Sequence, residues 1–189
     1  RQLCQLPVLT SPQTGQRDTD RSSSGKPLRK SPAMHPLPSE IPAELSEAIT
    51  TFFGRIPFNQ LLGIEVIELA GGKVGIHMPM RPELIGNFTQ GILHGGVIAT
   101  LIDVVGGMMA MIGAFSRDHH LPVNERMAKL AKLGTIDMRV DYLRPGRGNS
   151  FTATASLLRT GNKVAVVRCE LHADDGTLIA AGTGTYLCG

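Results

Sequence analysis

Residues 91–115 read GILHGGVIATLIDVVGGMMAMIGAF, the most apolar run in the chain, and the reading of this run decides the fold. His94 and Asp103 are its two ionisable side chains. Length alone would admit a membrane-spanning helix. Against that, Asp103 sits near the middle, where a charge at a bilayer centre costs at least about 2.5 kcal/mol. Glycines also interrupt the run, and no second span follows. A helix enclosed by a sheet and a partner subunit suits the composition better, because the run is apolar around most of its circumference. No membrane span is expected.

On either side the pattern changes. Upstream, Leu45, Ala48, Ile49, Phe52 and Phe53 recur at helical spacing. They predict a helix over 43–53, with Pro42 in its first turn and Gly54 as its C-terminal cap. Residues 63–69 and 73–80 read as two strands joined by Ala70-Gly71-Gly72, with Pro79 and Pro82 ending the second. Downstream, a short amphipathic helix is expected over 124–133, with Asn124 as N-cap and Gly134 past its end. Residues 135–143 then alternate, placing Ile136, Met138, Val140 and Tyr142 on a buried face and Asp137, Arg139 and Asp141 on the other. Strands over 150–159, 163–172 and 177–187 follow, joined by Thr160-Gly161-Asn162 and Asp174-Asp175-Gly176, turns short enough for an antiparallel meander. One long apolar helix with one antiparallel sheet makes an α+β chain, and the sheet must wrap the helix.

The 189 residues suit one domain with a tail. The formal charge of +3 comes from residues 1–40, with six basic and three acidic side chains, whereas 41–189 carries thirteen of each sign. A neutral body argues against nucleic-acid binding, which needs Lys and Arg concentrated on one face. Seven of the twelve prolines lie in 1–42, so residues 1–38 are expected to form a disordered tail and 39–189 the folded domain. The tail lacks the continuous apolar segment of a secretory signal. The chain starts at Arg1, and Met34 is expected to be the natural start, which the intact mass of the native protein tests. Cys4, Cys169 and Cys188 are too few and too scattered for a disulfide framework or a CxxC metal or redox pair, so a reducing, cytoplasmic setting and no metal are expected.

The chemistry converges on the long helix. Gly95 and Gly96 let backbone amides at its start approach a ligand, and the positive end of the helix dipole favours an oxyanion there. Asp103 follows His94 by nine residues, two and a half turns, too far for the two to share one ligand within a chain. Two subunits packed antiparallel would bring the His-Gly-Gly end of one helix to the Asp of the other. Taken singly, His94 reads as a cap and Asp103 as a structural hydrogen-bond partner; together in so apolar a helix they read as functional, since a buried charge must be paired or used. Gly106 and Gly107 could leave room beside the helix, with Met108, Met109 and Met111 as an adaptable wall. His119-His120 reads as a solvated loop and Gly182-x-Gly184 as too weak for a dinucleotide site; a nucleophile elbow, P-loop or H-E-x-x-H is absent.

Residues 86–103, GNFTQGILHGGVIATLID, resemble the signature of hotdog-fold acyl-CoA thioesterases of the PaaI-like group. The block GTIDMRVDYLRPG at 134–146 and RTGNKVAV at 159–166 extend the likeness, which looks closest to the bacterial YigI-type branch for medium- and long-chain acyl-CoA. The resemblance implies a hotdog fold, an antiparallel sheet around a long central helix. It implies Asp103 as general base or nucleophile, the Gly95 N–H as the group polarising the thioester carbonyl, and His94 as a holder of the thioester or its leaving group. Thr135 matches a position that orients water, and Asn87 the family's asparagine. Substrate contacts are expected from Gly96 and from the cations Arg144, Arg147 and Lys163, which would meet the phosphates of coenzyme A. No metal or dissociable cofactor is implied, since coenzyme A is part of the substrate. A homodimer or dimer-of-dimers tetramer, with active sites at the dimer interface, is expected. The rival readings are a hotdog 3-hydroxyacyl dehydratase and a non-catalytic acyl-CoA-sensing domain.

Overall fold

The structure, a computed structural model, describes residues 43–68 and 73–189. The expected tail, Pro42 and the Ala70-Gly71-Gly72 turn lie outside the described residues. In chain order the elements are α1 (Ala43–Gly54), α2 (Pro57–Leu62), β1 (Glu65–Glu68), β2 (Lys73–Pro79), a 3-10 turn (Pro82–Leu84), β3 (Ile85–Asn87), β4 (Ile92–Leu93), α3 (Gly95–Arg117), α4 (Val123–Leu130), β5 (Gly134–Tyr142), β6 (Ser150–Thr160), β7 (Val164–Ala173) and β8 (Leu178–Leu187). Six strands form one antiparallel sheet in the order β1-β2-β6-β7-β8-β5, and β3 pairs with β4 in a small hairpin of its own.

Helix α3 packs against β2, β5, β6, β7 and β8, which gives the expected helix-in-sheet architecture. The sheet's inner face is built from alternate residues: Val74, Ile76 and Met78 on β2, Phe151, Ala153 and Ala155 on β6, and Val167, Cys169 and Leu171 on β7, all buried. Burying each large apolar side chain contributes about 1.5–3 kcal/mol. Small residues let the helix come close. A Cβ on Gly182 of β8 would lie 2.6 Å from Ile102 Cγ2, so Gly182 is a packing seat for α3, while at Gly184 the close neighbour is the Tyr186 ring. The helix is long and apolar enough to cross a membrane, but 72% of its apolar window is buried inside the protein, so it is the core helix.

Several local expectations are corrected. Residues 91–94 do not begin α3: Ile92 and Leu93 pair with β3, and the helix starts at Gly95. Helix α4 starts at Val123 with Pro122 as its cap, so Asn124 lies inside it, and it ends at Leu130, leaving Leu133 outside. The expected meander holds for β6, β7 and β8, and strand β5 closes the sheet's other edge against β8. It also carries a bulge between Thr135 and Asp137. The extra residue breaks the alternation, so Ile136 is 56% exposed, and at the edge Tyr142 is exposed to the same 56%. Room at Gly106 is not empty either: the Tyr186 ring fills it, its hydroxyl oxygen standing 2.1 Å from where a Cβ would be.

Candidate functional site

At the N-terminus of α3, His94 is the cap residue, with extended backbone, and its Nδ1 accepts the Gly96 N–H at 2.8 Å. Because an amide donates, Nδ1 carries no proton, and the Nε2–H is left for other partners. The His94 backbone N–H donates to Leu84 O at 2.8 Å, and Gly86 packs so close that a Cβ there would lie 2.6 Å from His94 Cα. The β3–β4 hairpin thus fixes the entry of the helix. Gly96, expected at the substrate, has its amide engaged by this cap. The Gly95 N–H has no acceptor among the described residues. It remains as a donor at the positive end of the helix.

Asp103 lies two and a half turns along, about 13 Å by helical rise and on the opposite side of α3 from His94. Its carboxylate Oδ1 accepts the Thr135 hydroxyl at 2.8 Å. The bulge makes this possible. Thr135 pairs across the sheet with Tyr186, whose side chain is buried on the helix side, whereas unbroken alternation would put it on the other face. Asp103 and Thr135 line a pocket of about 400 Å³. Thr100, Val104 and Gly107 continue the α3 wall, and Phe52, Phe53 and Phe58 come from α1 and α2. Tyr186, also at the pocket, donates its hydroxyl to the Asp103 backbone carbonyl at 3.2 Å, and burial pushes its pKa above the usual tyrosine value. The Cys169 thiol is pushed up to about 12, by burial first and by the charge of Asp103 second, so it is a neutral packing group and not a nucleophile.

Asn87 is committed to its loop. Its Oδ1 accepts from the Thr89 N–H at 3.1 Å and the Thr89 hydroxyl at 2.7 Å, and its backbone carbonyl accepts from Gln90 and Gly91. Arg147 holds the same loop, donating to Gln90 O at 2.9 Å and Gln90 Oε1 at 3.2 Å. Arg144 donates to Leu178 O at 3.1 Å. Both arginines belong to the helix-start end, since the turn between them bonds Leu93 through the Gly146 carbonyl. Lys163 does not join them. It sits in the β6–β7 hairpin beside the far end of α3, where Arg117 reaches the Gly161 carbonyl and Cys188. Within one chain the structure therefore brings Asp103 to Thr135, and His94 and Gly95 to the Asn87 loop, but not the two groups to each other.

The far end of α3 is held by charge. Asp118 accepts from Arg117 Nε and Nη2, both at 2.7 Å, and from Lys129 Nζ at 3.0 Å. The Arg117 hydrogen bonds hold its carboxyl well below the usual carboxylate range. Arg126 of α4 stacks on Phe115, its Cζ 3.3 Å from the ring centroid, and donates to the Phe115 carbonyl. No group of three or more metal-ligating side chains occurs among the described residues.

Three features of the site were not anticipated. Tyr142 reaches the start of α3 and donates to Gly95 O at 3.1 Å. Helix α2 supplies Phe58 and the buried Asn59, whose Nδ2 donates to Phe53 O at 2.9 Å and clamps α1 to α2. Its signal was the bracket of Pro57 at the first position and Gly63 after the end, at φ +70°. Tyr186 gave no signal beyond its place at the end of an alternating strand.

The sequence profile of the Thioesterase superfamily matches residues 90–180. The medium/long-chain acyl-CoA thioesterase YigI of Salmonella typhimurium is 47% identical over 138 residues, covering 73% of this chain and 89% of that protein. A crystal structure of a Shewanella oneidensis protein related to the thioesterase superfamily is 49% identical with a TM-score of 0.75, covering 78% of this chain and 97% of that one. The PaaI protein of E. coli, at 19% identity and a TM-score of 0.59, covers 74% of this chain and 88% of that one and shares the fold.

Proposed function

The chain belongs to the thioesterase superfamily, and we propose that within it the protein hydrolyses acyl-CoA thioesters, those of medium to long chains, to the free acid and coenzyme A. The observation that carries this is the Asp103 carboxylate, held by Thr135 through one oxygen in the lining of a largely apolar pocket. Oδ2 is then left to accept a proton from water. The water oxygen bonds to the acyl carbon, the developing oxyanion is met by the Gly95 N–H, and the C–S bond breaks. The thiolate takes its proton from Asp103, while the His94 Nε2–H steadies the thioester or the departing sulfur. Sulfur is a good leaving group, so neither metal nor dissociable cofactor is required. Arg144 and Arg147, at the same end of α3 as Gly95, meet the phosphates of coenzyme A while holding their backbone partners.

Because Asp103 and Gly95 do not meet within one chain, the reading includes a homodimer whose antiparallel α3 helices supply one of each to every site. The exposure of Phe88, 90% in the loop beside His94, supports a partner there. Burial of both described cysteines, Cys169 and Cys188, as free thiols accords with a cytoplasmic setting.

Thiol release from acyl-CoA substrates of increasing length, by wild type and Asp103→Asn, tests the reading. The account expects release by wild type and a loss of about 10²–10⁴-fold in the variant. Acyl-CoA binding without thiol release on any chain would leave a sensor instead. Single-turnover hydrolysis in labelled water separates base from nucleophile: label appearing first in Asp103 excludes direct attack by water.

A further inference from the structure

Two adjacent glycines of α3 stand in opposite relations to Tyr186. A Cβ on Gly106 would collide with the Tyr186 hydroxyl at 2.1 Å, so packing requires glycine there. A Cβ on Gly107 would meet its nearest atoms, Tyr186 Cε1 and Cδ1, at 3.7 and 4.0 Å, ordinary van der Waals contact. Glycine is the worst residue for a helix interior after proline. Packing therefore does not account for Gly107. Its position does: Thr100, Asp103, Val104 and Gly107 are spaced i, i+3, i+4 and i+7, form one stripe of the helix, and all four line the 400 Å³ pocket. Gly107 lies one turn beyond Asp103, where the wall recedes. The lining of the same pocket includes phenylalanines of α1 and α2, among them the half-exposed Phe58.

We infer that Gly107 sets the length of acyl chain the protein accepts. With the thioester carbonyl at Asp103, the chain runs along the stripe past Val104 and ends in the space left by the absent side chain. Tyr186 is a fixed floor, because its hydroxyl is bonded to the Asp103 carbonyl at 3.2 Å and its ring is wedged against Gly106. The inference rests on the thioesterase reading and adds the residue that grades its substrates.

The test is kcat/KM over a series of saturated acyl-CoA substrates for wild type, Gly107→Ala, Gly107→Val and Phe58→Ala. Removing one methylene of space from an apolar pocket discriminates by about tenfold or more. The ratio of long-chain to short-chain kcat/KM is expected to fall by that factor in Gly107→Ala and further in Gly107→Val. Phe58→Ala removes a large side chain from the lining of the same pocket and is expected to shift the ratio the other way, toward longer chains. Should Gly107→Val not fold, Gly107→Ala carries the test, since its methyl group fits at ordinary contact. An active wild type whose chain-length profile is unchanged in folded Gly107→Ala overturns this inference alone. A wild type that releases no thiol from any chain overturns the thioesterase reading with it.

Discussion

The two ends of α3 are built on opposite terms. At the C-terminal end, Asp118 takes three hydrogen bonds from Arg117 and Lys129, and its side chain is 9% exposed. Arg117 goes on to the Gly161 and Cys188 carbonyls, and Arg126 closes over Phe115. At the N-terminal end, the Gly96 amide is taken by His94 and the one before it, that of Gly95, is left open among short exposed loops. One end anchors the helix to the sheet and to α4. The other leaves a donor aimed outward where the dipole is positive. A helix start can stay unsatisfied and poised because the rest of the helix, buried over most of its length, does not need it for stability.

That contrast can be broken from either side. The largest effects belong to the open end and to Asp103. Gly95 is the first helical residue, where proline is tolerated, and His94 before it already has the extended backbone that proline requires (ψ 135°). Gly95→Pro therefore deletes the N–H with the helix intact, and kcat is expected to fall about 10²–10³-fold. Gly95→Ala keeps the N–H, and its Cβ meets Tyr142 at an ordinary 3.5 Å, so it controls for bulk. Steady-state kinetics with circular dichroism on both variants would read this.

At the closed end the cost is stability. Asp118→Ala strands Arg117 and is expected to cost about 3 kcal/mol, as for one partner removed from a buried ion pair, measured by urea unfolding. The folded fraction should keep its kcat. Smaller is Thr135→Val, which removes a hydrogen bond to a carboxylate worth about 1.5 kcal/mol, hence about tenfold in kcat, with unfolding unchanged. Least is the acid response. The native carboxyl of Asp118 is depressed, so its contribution to stability is fully present above the ordinary carboxylate value of about 4 and is lost as pH falls toward the native value. Urea midpoints between pH 6 and 3 should fall more for wild type than for Asp118→Ala.

The long elements were legible because their periods are long. The apolar run marked α3, and β6, β7 and β8 followed from alternation between short turns. Helix α2, with six residues, is too short for a helical period to show. The β3–β4 hairpin pairs two or three residues across a loop, and its signal is tertiary. The bulge after Thr135 changes which face each residue takes, and nothing in an alternating string marks it. Thus Asp103 and His94 stood out as ionisable side chains in an apolar run, whereas Thr135 entered only through family resemblance, as a residue that orients water, and its bond to Asp103, spanning 32 positions, had no signal in the sequence. Gly106 and Gly107 look alike in sequence; about 100° of helical rotation puts one under the Tyr186 hydroxyl and the other at the pocket.

The central claim is that the open helix end of one chain serves the Asp103 of another. Mixing Asp103→Asn with Gly95→Pro, each inactive alone, tests it most directly. In a symmetric dimer, random reassociation should restore about a quarter of wild-type thiol release, because half the dimers are mixed and each holds one intact site. Activity that stays at the level of the separate variants, with subunit exchange confirmed by native mass spectrometry, would contradict the shared site.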